Sequence, residues 1–166
     1  MSHVKCQYIM SSTMNKDVRL KLGILVGTLA LWLGLDLWTK TIAAKGIMNK
    51  VVFIDRYFYL TLHHNEGIAF GIHFGVWTQI IVSIALISIL IYLACLELLI
   101  SKNYWIQAPI GIVLGGALGN LSNRIYLGYV IDFIYLWPIP VFNVADVGIT
   151  LGLITLCFLS LRKNKI

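Results

Sequence analysis

Val130-Ile131-Asp132-Phe133-Ile134-Tyr135-Leu136-Trp137-Pro138-Ile139-Pro140-Val141-Phe142-Asn143-Val144-Ala145-Asp146 joins two kinds of structure. Tyr129 to Tyr135 is β-branched and aromatic, the composition of a strand. Pro138 and Pro140 then keep a helix from starting before Asn143, because proline lacks the N–H a helix interior needs. From Asn143 to Leu161 the chain is apolar over close to the ~20 residues that a membrane-spanning helix requires. Within this stretch stand two carboxylates, Asp132 and Asp146, out of only seven acidic residues in the chain. A charge at bilayer depth costs roughly 3 kcal/mol on insertion scales, so such groups face a protein interior and mark function.

The rest of the chain fits that reading. Of its 166 residues 59% are hydrophobic and 12% charged, and the mean hydropathy is +0.85. Such a composition leaves too little polar surface for a soluble domain. Leu20 to Thr39, Gly75 to Ile100 and Tyr104 to Tyr126 are three further spanning stretches, so the expected fold is an all-α integral membrane protein with four transmembrane helices. Trp38, Trp77, Trp105 and Trp137 fall near the proposed span ends, where an aromatic belt belongs. In the long connection after the first span, Val51 to Leu62 is again β-branched and aromatic, and with Tyr129 to Tyr135 it predicts a small extracytoplasmic β-sheet.

The expected organisation is a cytoplasmic segment over 1–19 and one four-helix domain over 20–166 that includes the extracytoplasmic loop 40–74. No small-residue cleavage site follows the first apolar run, which reads as a retained span. Four spans put both termini on one side. There Lys5, Lys16, Arg19, Lys21, Lys102, Arg162, Lys163 and Lys165 face Lys40, Lys45, Lys50, Arg56 and Arg124 opposite, so the termini are expected to be cytoplasmic. The net charge of +6 reflects this orientation rather than a nucleic-acid partner. In this topology Asp36, Lys40, Asn65, Gly67, Asn120, Arg124, Asp132, Asn143 and Asp146 all converge on the outer leaflet.

Each of these residues has a plain structural reading beside the functional one. Asp36 and Lys40, four apart, form an ion pair on one helix face. His63-His64-Asn65-Glu66-Gly67-Ile68-Ala69-Phe70-Gly71 reads as a turn, and its adjacent histidines point different ways with no third ligand, so no metal is expected. Gly111, Gly115 and Gly119 at four-residue spacing allow close helix approach. Asn120 and Arg124, at bilayer depth, need partners. Asn143 with an acid three residues on resembles a capping box, which accounts for Asp146 but leaves Asp132 unexplained.

Two carboxylates close together in a partly desolvated site share one proton, so one activates water while the other protonates a carbonyl, as in aspartic proteases. Asp146 in the first turn of a helix is the expected base, and Asp132 among apolar neighbours the expected acid. No Gly-x-Ser-x-Gly, His-Glu-x-x-His or phosphate loop competes, and Cys6, Cys95 and Cys157 lie far apart.

At these residues the chain resembles the lipoprotein signal peptidases, bacterial signal peptidase II. The resemblance covers about residues 20 to 161 and rests on Asp36-x-x-Thr39-Lys40, Asn65-x-Gly67-x-Ala69-Phe70-Gly71, Gly115-Gly116-Ala117-x-Gly119-Asn120-Leu121, Val130-x-Asp132-Phe133 and Asn143-x-Ala145-Asp146, in that order. It implies a membrane aspartic endopeptidase that removes the signal peptide from diacylglyceryl-modified prolipoproteins, cutting before the lipidated cysteine. Asp132 and Asp146 match the catalytic pair. Asp36, Lys40, Asn65, Gly67, Asn120, Arg124 and Asn143 match positions that support the pair or contact substrate and globomycin-type inhibitors. It further implies a monomer in the bacterial inner membrane, in contact with membrane lipid and without a cofactor. Two departures stand out: Asn123 replaces an aspartate that would pair with Arg124, and Val147-Gly148 follows Asp146 where a serine is usual.

Two other classes are open to a chain of this composition. A small transporter would use intramembrane carboxylates as a proton relay, but no inverted repeat is visible. A scaffold assembled through its glycine faces leaves the clustering of polar residues unexplained.

Overall fold

The computed structural model describes residues 3–46, 51–69, 72–73, 75–101 and 103–163. Phe70 and Gly71 of the turn motif, and the basic residues Lys50, Lys102 and Lys165 used for orientation, lie outside them. The fold is mostly helical with a small antiparallel sheet. Among the described residues three helices are long and apolar enough to cross a membrane, over Lys16–Gly46, Val76–Ile100 and Val144–Leu161.

Helix α1 runs His3–Gly46, past both ends of the expected Leu20 to Thr39 span. Nothing after Thr39 breaks it: the Thr39 and Thr41 hydroxyls donate back to the Leu35 and Leu37 carbonyls, at 2.8 and 2.7 Å, so these polar side chains are satisfied inside the helix. Gly46 is the last of its described residues. The long loop accordingly begins later than Lys40.

Helix α2 (Val76–Ile100) is joined to α3 (Gln107–Leu127) by a short 3-10 turn at Tyr104–Ile106. At this end the buried Lys21 ammonium donates to the Leu98 and Ser101 carbonyls, at 3.2 and 2.6 Å, tying α1 to the negative end of α2.

Helix α3 packs against α1, α2 and α4 (Val144–Lys163) and is the centre of the bundle. This explains its composition. It buries Gly111, Gly115, Gly116, Gly119, Asn120 and Asn123, residues that would be costly against lipid but are shielded by neighbouring helices. A Cβ on Gly111 or Gly115 would strike the α1 backbone at Leu25 or Leu29, and one on Gly116 would strike the Ala145 carbonyl of α4. The glycine stripe therefore brings α1 into backbone contact with α3, as the four-residue spacing predicts.

The sheet has the order β1-β2-β5-β6, all antiparallel: β1 Val51–Ile54, β2 Phe58–Asn65, β5 Val130–Leu136 and β6 Ile139–Phe142. A separate hairpin pairs β3 (Ile68–Ala69) with β4 (Ile72–His73). The expected run Val51 to Leu62 is two strands, folded at Asp55-Arg56-Tyr57 with Arg56 at φ 63, the left-handed region a tight turn needs. Pro140 does not end the sheet. It sits in β6, an edge strand, where a missing N–H costs no ladder bond.

Candidate functional site

The site forms where three packed elements meet the sheet. Asp132 lies in β5, 1% exposed, and Asn65 of the neighbouring strand β2 reaches across to it, Nδ2 donating to Asp132 Oδ2 at 2.7 Å. Asn65 is held in turn by the Gly67 amide, which donates to Asn65 Oδ1 at 2.8 Å. Gly67 has φ 80, a conformation that favours glycine, and a Cβ there would also displace the Gln79 side-chain amide.

Asp146 stands three residues into the turn that opens α4. Its amide donates to Asn143 Oδ1 at 3.0 Å, and the Asn143 amide donates to Asp146 Oδ2 at 3.2 Å, a reciprocal capping box. The structural and functional readings of Asn143 are thus compatible. Its side-chain Nδ2, free of the cap, donates to Asp132 Oδ1 at 2.6 Å and to Asn120 Oδ1 at 3.2 Å.

Asn120 of α3 closes the circuit. Its Nδ2 donates to Asp146 Oδ1 at 2.8 Å, and its Oδ1 accepts from Lys40 Nζ at 2.8 Å. Asp132 and Asp146 are therefore linked through two amides, each of which touches both the other amide and one carboxylate. Burial pushes the Asp132 carboxyl above its ordinary value; the Asn65 hydrogen bond opposes this, and the nearby Asp146 charge adds to it.

Asp36 and Lys40 lie beneath this circuit. Their ion pair is 2.7 Å long with both side chains buried, at 0% and 2% exposed, deeper than a helix-end pair at the membrane interface would be. The burial follows from Gly119, whose missing side chain leaves room for the Asp36 carboxylate. Asp36 Oδ1 accepts the Ala145 amide at 2.8 Å, one of the free first-turn donors of α4, so α1 helps to cap the helix that carries Asp146.

Arg124 is half-buried, and its guanidinium attracts both Asp146 and Asp132. It is not oriented by residue 123. Its Nε donates to Gln79 Oε1 at 3.0 Å, while Gln79 Nε2 donates to the Glu66 carbonyl at 2.8 Å. Asn123 instead accepts the Ile131 amide at 3.2 Å, fixing the strand one residue from Asp132. At the second departure, a side chain at Gly148 would overlap the Trp32 indole, whose Nε1 donates to the Val144 carbonyl at 3.1 Å. Gln79 and Trp32 were missed from sequence. Gln79 had a visible signal as a polar residue in the first turn of an apolar helix, whereas Trp32 had none in mid-span.

All nine sequence-predicted residues belong to this neighbourhood, Gly67 through the Asn65 turn and Arg124 through electrostatics. His63 and His64 occupy successive positions of β2, and His64 stacks on Tyr129 at 4.2 Å between ring centroids.

Comparison with known proteins gives first the class and then the family. Two solved structures of bacterial membrane enzymes superpose with TM-scores of 0.71 and 0.70, each at 30% identity, covering 86% and 84% of this chain and 90% and 92% of theirs. Residues 28–162 match the family Signal peptidase (SPase) II. Similar relatives include the lipoprotein signal peptidase of Moorella thermoacetica, 41% identical over 105 residues, 63% of this chain and 69% of that protein. The lipoprotein signal peptidase of Caldanaerobacter subterraneus subsp. tengcongensis is 38% identical over 135 residues, 80% of this chain and 92% of its own. The chain belongs to the signal peptidase II family and is a bacterial membrane peptidase.

Proposed function

We propose that this chain acts as an aspartic endopeptidase, with Asp132 and Asp146 as its catalytic pair. The family's reaction is removal of the signal peptide from prolipoproteins. The observation that carries the aspartic reading is the amide circuit, in which Asn143 and Asn120 join Asp132 to Asp146 at hydrogen-bond distance.

Burial inclines Asp132 toward its protonated form, so Asp132 is the acid and Asp146 the base. Asp146 takes a proton from water as the water oxygen bonds to the scissile carbonyl carbon. Asp132 gives its proton to the carbonyl oxygen. Collapse of the tetrahedral intermediate breaks the C–N bond, the departing nitrogen takes a proton from the pair, and the products are the signal-peptide carboxylate and a new amino terminus. Asn65, Asn120 and Asn143 hold the carboxylates in register, Gly67 holds Asn65, and Asp36 and Lys40 hold Asn120 and the α4 terminus. Arg124 adds positive charge beside the pair, where substrate or a globomycin-type inhibitor binds.

Four spans complete the topology. Helix α3 crosses as the shielded centre of the bundle, the termini are cytoplasmic, and the site lies at the outer leaflet of the inner membrane. The chain works as a monomer on diacylglyceryl-modified precursors. The test is cleavage of a lipidated precursor by the purified protein. Globomycin inhibits, while chelators and serine- or thiol-directed reagents leave the rate unchanged; inactivation by EDTA with rescue by a divalent ion contradicts the reading.

A further inference from the structure

Behind the amide circuit a cavity of about 410 Å³ opens between three elements, lined by Leu37, Lys40 and Lys45 of α1, Asn123 and Leu127 of α3 and Ile131 of β5. Its polar groups are unequally committed. Lys40 already donates to Asp36 and Asn120, at 2.7 and 2.8 Å. Asn123 is only 8% exposed; its Oδ1 accepts the Ile131 amide at 3.2 Å, whereas its Nδ2 donates to nothing among the described residues. Lys45 is exposed and makes no ion pair among the described residues. The carboxyl end of α3 also lies here, but the Gly128 amide caps it on the Arg124 carbonyl at 3.1 Å, so the Lys45 charge stands in excess.

We propose that this cavity binds an anionic phospholipid of the outer leaflet, whose phosphate accepts from Lys45 and Asn123 Nδ2 while its acyl chain starts along Leu37. The inference goes beyond the proposed reaction and takes from it only the topology that puts this end of α1 at the outer leaflet. Three features select the ligand. An uncompensated ammonium beside a second one excludes a metal cation and favours an anion. The cavity is far larger than one bridging water needs. From Leu37 to Lys45 the helix rises about 12 Å toward the outer face, so the apolar wall lies deeper than the charge, the polarity of a phospholipid; a free phosphate would leave Leu37 unused. The cavity also touches the supports of the carboxyl groups, because Lys40 holds Asn120 and Asn123 holds the strand one residue from Asp132. A headgroup seated there braces both from behind.

Two measurements test this. In the first, phosphatidylglycerol and phosphatidylcholine are titrated onto the detergent-purified wild type, Lys45→Gln and Asn123→Asp, and binding is read by native mass spectrometry. Asn123→Asp keeps an oxygen for the Ile131 amide but replaces the free donor with a negative charge. The wild type prefers phosphatidylglycerol, and each variant loses roughly fivefold in affinity for it with little change toward phosphatidylcholine. Equal binding of the two lipids by the wild type, or an unchanged preference in Lys45→Gln, overturns the proposal, as does displacement of phosphatidylglycerol by inorganic phosphate. The second needs no variant: phosphatidylglycerol with a photoreactive group on its headgroup is photolysed on the wild-type protein in vesicles. Labelling of Thr41, Lys45 or Leu127 supports the site, and labelling spread evenly over the lipid-facing helices overturns it. The titration in detergent reads binding whatever the topology, and cleavage that persists in Asp146→Asn would void the catalytic pair without touching this site.

Discussion

Asn143 and Asp146 cap each other, the Asp146 amide donating to Asn143 Oδ1 at 3.0 Å and the Asn143 amide donating to Asp146 Oδ2 at 3.2 Å. The same asparagine donates its side-chain N–H groups to Asp132 and Asn120. One residue thus starts the helix that carries one carboxylate and holds the other.

These two roles separate by substitution. Asn143→Ala removes both, costing about 1 kcal/mol in cap stability and roughly a hundredfold in kcat. Asn143→Ser restores a capping oxygen but offers no amide to Asp132. Its thermal stability in detergent should approach the wild type while its activity stays low, and recovery of both together would assign Asn143 to the helix alone.

The buried Asp36–Lys40 pair predicts a different pattern. Asp36→Ala leaves an ammonium buried without its carboxylate and an α4 amide without its acceptor, a loss of about 3–5 kcal/mol. Adding Lys40→Met removes the stranded charge. Thermal unfolding of the double variant should be closer to wild type than that of Asp36→Ala, and equal or greater destabilisation would show that the pair does not act as a unit.

Position 123 tests the part played by α3 in fixing β5. Asn123→Leu leaves the Ile131 amide unpaired in a buried setting and should cost about 1–3 kcal/mol. Arg124 is held by Gln79 instead, so Gln79→Leu should lower kcat/KM at little cost in unfolding temperature. Indistinguishable kinetics for Gln79→Leu would remove Arg124 from the account.

Legibility from sequence followed the physics of each element. The apolar spans that became α1, α2 and α4 and the two strand runs were visible because hydropathy and β-branched composition are local. The Asp36, Asn65, Asn120, Asp132 and Asn143–Asp146 motifs were visible because polar residues at bilayer depth stand out against their surroundings. The Arg56 turn was not, because no glycine marked its left-handed residue, and neither was β6, because Pro140 is tolerated only by virtue of an edge position that topology creates. Two tertiary contacts, Arg124 on Gln79 and Trp32 over Gly148, join separate helices and have no local signature.

Stability against pH gives a further test of Asp132. Its folded carboxyl is held above the ordinary value of 3.8, so between that value and the folded one the native state carries more protons than the unfolded state. The resulting contribution is fully present below the ordinary value and is lost as pH rises through the folded one. The stability of the wild type relative to Asp132→Asn should therefore fall as pH rises from about 4, measured by denaturation in detergent. A difference independent of pH, or one that grows, contradicts the burial of an ionisable Asp132.

The most direct test of the central claim is the rate at which Asp132→Asn and Asp146→Asn, each purified and shown to be folded, cleave a diacylglyceryl-modified precursor. A mechanism that shares one proton between two carboxyls requires both, so each variant should lose at least a thousandfold in kcat, on the order expected for removing an acid–base group. Turnover near the wild-type rate in either variant would contradict the assignment of the pair.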